Sequence, residues 1–128
     1  FRRDYVFETP QSIADYYMAY MCHLKHEEVH VMMMDARQHM ISECLLTKGT
    51  VNASLIAPRE IFIHALKANA VGIILVHNHP SGDDTPSRED LAATEKVRCA
   101  GDLIGIRLLD HIIIGSGHFT SLCGSWHH

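Results

Sequence analysis

The chain has 128 residues, 47% of them apolar, and a formal charge of -4 from 11 Lys and Arg against 15 Asp and Glu. That is enough for one compact domain with a real core, 1–128, and too little for a second. The acidic balance, with no Lys/Arg-rich run, supplies no surface for a phosphate backbone, so nucleic-acid binding by this segment is disfavoured. In chain order, Thr9-Pro10 opens a first helix of roughly 15 residues, Thr9 as N-cap and Pro10 at the first helical position, with Ile13, Tyr16, Tyr17, Tyr20, Met21 and Leu24 at helical spacing. Val29, Val31 and Met33 then alternate with His30, Met32 and Met34, and Met40 to Leu46 is apolar again after the turn-like Asp35-Ala36-Arg37-Gln38. These predict a β-hairpin. Lys48-Gly49-Thr50 breaks the pattern, and Val51 to Ile56 reads as a short strand or an extended loop.

Pro58 predicts a second helix, with Ile61, Phe62, Ala65 and Leu66 on one face and Asn69 near its end. A buried strand follows over Val71 to Val76, then a loop rich in Gly, Pro and Asp, then a helix from about Ser87 to Ala100 that ends at Gly101. Ile106 to Ile114 and His118 to Leu122 read as two strands joined across Ser116-Gly117. Helices alternating with strands, with a hairpin at each end, predict a mixed sheet flanked by helices in the α/β or α+β class.

Cys22, Cys44, Cys99 and Cys123 form no Cys-x-x-Cys pair, which reads as free thiols in a reducing, cytoplasmic setting. No apolar run approaches the ~18 residues of a membrane span, and no signal peptide is evident. The first residue is Phe1 rather than Met, which suggests a segment of a longer protein; His127 and His128, in the short stretch 125–128, read as a tail or a tag and are left out of the chemistry.

The chemistry concentrates in His77-Asn78-His79-Pro80, with Ser87 and Asp90 beyond. Strand side chains repeat every two residues, so His77 and His79 leave the end of their strand pointing the same way. Asp90, in the first turn of the next helix, folds back towards them. Two imidazoles and one carboxylate leave a fourth tetrahedral position open, the arrangement of a catalytic rather than a structural zinc. Ser87-Arg88-Glu89-Asp90 also fits the spacing of a helix capping box, and Asp83 or Asp84 competes as the carboxylate from a loop too close to His79 to return easily.

This constellation resembles the JAMM (also called MPN+) signature of metallopeptidases, a Glu well upstream followed by His-x-His and Ser-x-x-Asp. Gly49-Thr50, Pro58-Arg59-Glu60, His77 to Gly82, Pro86-Ser87, Asp90 and Leu109-Asp110-His111-Ile112-Ile113-Ile114-Gly115, falling in order, look like the RadC family, a bacterial branch of that fold. Asn78 stands where eukaryotic JAMM relatives have Ser or Thr and is what RadC members show. The resemblance covers roughly Tyr5 to Leu122. It implies a JAMM fold like that of the cytidine deaminases, a C-terminal domain lacking the family's N-terminal helical region, one zinc held by His77, His79 and Asp90, and Ser87 helping to hold an oxyanion. It also implies a general base upstream, for which strand alternation favours Glu28 over its neighbour Glu27.

The implied activity is hydrolysis of a peptide, isopeptide or similar amide bond, with a peptide or protein substrate extended along an open groove beside a sheet edge. Two alternatives are a nuclease or DNA-repair factor, suggested by the His-Asn-His string and the family's historical naming, and a non-catalytic binding module on the same fold. HNH nucleases gather their histidines from separated parts of a ββα motif, and retention of every ligand, the serine and a candidate base speaks against the binding module. A zinc deaminase is excluded because His-x-Glu and Pro-Cys-x-x-Cys are absent. His23, His26, His30, His39, His64 and His118 have no ligand-like partner; His111, in an apolar strand, is either a core histidine or a brace for the site.

Overall fold

Three helices and five strands follow one another as α1 (Pro10–Met21), β1 (Glu27–Met34), β2 (Met40–Gly49), α2 (Pro58–Lys67), β3 (Gly72–Asn78), α3 (Arg88–Ile104), β4 (Arg107–Ile114) and β5 (Phe119–Ser121). They are seen in a computed structural model that describes residues 6–49 and 56–123. The strands form one mixed sheet in the order β2-β1-β3-β4-β5. All neighbours are antiparallel except β3 and β4, which run parallel with α3 as the crossover between them.

Helices cover both faces, which makes the sheet the middle of three layers. On one face Val29, Val31, Met33, Ile73 and Leu75 pack with Ile61, Phe62 and Ala65 of α2 and Ala93 and Val97 of α3. On the other, Met32, Met34, Ile74, Val76 and Ile112 pack with Ile13, Ala14, Tyr17 and Met21 of α1. Every residue of β3 is buried, which is why its sequence is a continuous apolar run rather than an alternating one.

The α+β expectation holds, with local corrections. The second strand does not stop at Leu46 but continues to Gly49, through residues that looked like a break. The possible strand over residues 51–55 lies outside the described residues, as does the tail 125–128. Leu66, expected on the buried face of α2, is 57% exposed. The third helix runs past Gly101 to Ile104, and the left-handed cap is Gly105 at φ 89°. Gly101 serves a different need: a Cβ there would lie 2.3 Å from the Ile106 carbonyl oxygen and 3.2 Å from Phe62, so its hydrogen lets the start of β4 and α2 close against α3.

Candidate metal centre

The antiparallel register of β1 and β3 sets Val29 opposite His77, so the first residues of β1 and the last of β3 meet at one end of the sheet. The N-terminus of α3 arrives at that end after the 79–87 loop. Backbone bonds from His79 N to the Ile114 oxygen and from Ser116 N to the Gly82 oxygen, both 2.9 Å, fasten the loop to the end of β4. Asp84 ties it to β5 by accepting from Thr120 Oγ1 at 2.9 Å and pairing with His118 at 3.1 Å. Asp83 and Asp84 therefore hold the loop, and of the two it is Asp83 that meets a predicted ligand, through its backbone oxygen, 2.9 Å from His79 Nδ1.

Asp90 sits under both predicted histidines, its Oδ1 3.4 Å from His77 Nδ1 and its Oδ2 3.1 Å from His79 Nε2. It is 1% exposed. Burial alone would raise its carboxyl, but the imidazoles of His77 and His79 and the Ser87 N–H outweigh burial and hold it far below the ordinary carboxylate range. The capping box is real: Ser87 Oγ accepts from Asp90 N at 3.0 Å, and Ser87 N donates to Asp90 Oδ2 at 2.8 Å. Capping and site-building coincide here, because a hydroxyl that accepts from a backbone N–H keeps its own proton to donate.

The donor set fits a cation. His77 is 1% exposed and neither ring nitrogen makes a hydrogen bond, an expensive state for a buried imidazole unless something else takes its lone pair. His79 gives its Nδ1 proton to the Asp83 carbonyl, so a neutral His79 turns the lone pair of Nε2 towards the Asp90 carboxylate. Two acceptors facing one another need a second proton or a cation between them. The Asp90 carboxylate accordingly raises the His79 imidazole above its ordinary value, with burial opposing.

The carboxylate on this face from β1 is Glu27. Its Oε2 is 3.5 Å from His77 Nε2, and Glu27, His77 and His79 offer ligand atoms that all lie within 4.8 Å of one another. The placement expected for Glu28 is thus corrected. Glu28 shares the parity of Met32 and Met34 and faces α1, where it accepts from Tyr20 Oη at 2.7 Å and pairs with His30 Nε2 at 2.9 Å and His26 Nε2 at 3.0 Å. Alternation by itself does not choose between the two glutamates, because β1 is buried on both faces and its apolar residues fall on both parities.

Sequence reasoning also passed over Thr94, one turn after Asp90 on α3. Its Oγ1 donates to the Asp90 carbonyl at 2.8 Å and lies 2.7 Å from His111 Nδ1. His111 is fully buried and stacks on His77 with centroids 6.0 Å apart and planes at 20°, a core histidine in contact with a candidate ligand. Burial, with His77 alongside, pushes its pKa down to about 3. The i, i+4 spacing of Asp90 and Thr94 was a readable signal; their contact with β4 was not.

The sequence matches the RadC-like JAB domain family over residues 7–126, and the chain belongs to that family. It is similar to a UPF0758 protein of Staphylococcus carnosus, 44% identical over 114 residues that cover 89% of this chain and 50% of the relative. It is likewise similar to a UPF0758 protein of Pelobacter propionicus, 42% identical over 115 residues covering 90% of the chain and 50% of the relative. A UPF0758 protein of Staphylococcus aureus is 47% identical over 113 residues, 88% of the chain and 50% of the relative. The chain therefore spans about half the length of these relatives. Among the described residues, no helix is long and apolar enough to cross a membrane.

Proposed function

We propose that this domain is a zinc-dependent hydrolase of the JAMM type that cleaves a peptide or isopeptide-like amide bond in a peptide or protein substrate. The observation that carries the reading is the buried His77 ring, unpaired at both nitrogens and flanked by Glu27 and Asp90 at 3.5 and 3.4 Å. His77, His79 and Asp90 would hold the metal, a donor set suited to zinc. Zinc bound there supplies a Lewis acid that makes water nucleophilic near neutral pH.

Glu27 is the proton carrier of this reading. Its side chain is 27% exposed, so it reaches solvent while lying against His77. In this reading its carboxylate takes the proton of the attacking water and returns it to the leaving amine. Ser87, its position fixed by the cap on α3, would donate its hydroxyl proton to the carbonyl oxygen on which charge develops. Asp83 and Thr94 hold the rest in place, Asp83 by orienting His79 through its backbone oxygen and Thr94 by bridging α3 to His111.

The test is metal content by plasma mass spectrometry on protein purified without added metal, for the parent and for His79→Ala. About one zinc per parent chain and almost none in the variant is the expected result. A parent that stays metal-free when zinc is offered would overturn the reading.

A further inference from the structure

The β1–β3 ladder begins at Val29 opposite His77, so Glu27 and Glu28 lie beyond it, paired in register only with β2 on their other side. A strand end held from one side splays easily, yet Glu27 has to stay against His77. What continues the hold where the backbone ladder stops is a side chain. Asn78, 2% exposed, alternates away from His77 and His79 and faces the α1 side. Its Oδ1 accepts from Glu28 N at 2.7 Å and its Nδ2 donates to the His26 carbonyl at 3.0 Å.

These two backbone groups flank Glu27. We propose that Asn78, the residue between the two histidines, is a positioning residue that sets the Glu27 carboxylate beside His77 by clamping the peptide groups on either side of it. The assignment rests on the zinc hydrolase reading and gives the middle position of His-x-His a task of its own. The carboxamide carries its acceptor and its donor on separate atoms, one for each backbone group; a carboxylate keeps the acceptor and turns a second oxygen towards the His26 carbonyl. Glu28 strengthens the clamp from the same face. Its carboxylate is pinned by Tyr20, His26 and His30, so the peptide that Asn78 holds through nitrogen is also held through its side chain.

Cobalt in place of zinc supplies a readout independent of turnover, because its visible spectrum responds to what lies beside the open coordination position. The protein is loaded with cobalt as parent, Glu27→Gln, Asn78→Ala, Asn78→Asp and the Asn78→Ala/Glu27→Gln pair, with stoichiometry and spectrum recorded for each. The expected result is about one cobalt per chain throughout, bands in Asn78→Ala shifted towards those of Glu27→Gln, a smaller shift of the same sense in Asn78→Asp, and a pair indistinguishable from Glu27→Gln. On an amide substrate, Asn78→Ala would lose about 10²-fold in kcat with KM kept, the cost of a misplaced group, and nothing further in the Glu27→Gln background.

A parent spectrum in either folded Asn78 variant overturns the assignment. Failure of both Asn78 variants to fold also overturns it, leaving Asn78 a residue of stability alone. A parent that takes no cobalt is a different result: it removes the zinc reading, and the assignment with it.

Discussion

Glu27 and Glu28 are adjacent in sequence and belong to different worlds. Glu27 lies on the α2/α3 side of the sheet, where Asp90 is buried beside His77, which has no hydrogen bond at either ring nitrogen, and His111 has none at Nε2. Glu28 lies on the α1 side, in a cluster where each acidic oxygen has a donor: Tyr20, His26 and His30 meet Glu28, and Tyr16 and Tyr17 meet Glu43. The two faces show how to tell a structural polar network from a site. A network closes upon itself, with donors and acceptors matched, and its energetic return is order. A site stays open, its lone pairs directed at a volume that a ligand must complete.

The sharpest way to break the comparison is to neutralise each glutamate in turn. Glu27→Gln should keep zinc and lower turnover by about 10²–10⁴-fold, the usual worth of a positioned acid/base. Glu28→Gln should keep zinc and stay within about tenfold of the parent, since its amide still reaches Tyr20 and the residue touches no reacting atom. Metal content and kcat on one peptide substrate decide it. Equal losses from the two substitutions would erase the distinction between the faces.

A second pair of variants compares the same faces by stability. Thr94→Val removes the partner of His111 Nδ1 and leaves a fully buried imidazole unpaired at both nitrogens. The expected cost is about 1–3 kcal/mol. Tyr20→Phe removes one of the three side-chain groups around Glu28, and the exposed ring of Tyr20 stays in place. Here the cost should be about 1 kcal/mol or less. Urea denaturation of both, at neutral pH and without metal, separates the values.

The difference between the faces also explains what the sequence could show. His77, His79 and Asp90 were legible because a strand end and a helix start, each with its own local signal, converge over a short loop. The wider fold was legible for the same reason, since caps, apolar periodicity and turn residues are local. Glu27 was not legible: the face of β1 that meets α3 is set by the register against β3, 50 residues away for the Glu28–Asn78 bond. Lys48 and Gly49 misled because an edge strand tolerates Lys and Gly that a central strand would not. Gly101 misled because a glycine needed for close helix–strand approach has the same letter as one that caps a helix.

The smallest expected effect is a slope with pH. Burial would raise Glu28, but the bonds from Tyr20, His30 and His26 outweigh it and hold the carboxyl below its ordinary value of 4.5. A carboxyl lowered by folding contributes stability that is full above its unfolded value and is lost as pH falls through its folded value. The groups bonded to it are the Tyr20 phenol and the His26 and His30 imidazoles. Unfolding free energy of the metal-free parent should therefore fall below about pH 4.5 more steeply than that of Glu28→Gln, by at most about 1.4 kcal/mol per pH unit. The two curves, separated at neutral pH, should draw together in acid. Parallel curves would mean that Glu28 titrates alike folded and unfolded, and that the α1-side network does not hold it as an anion.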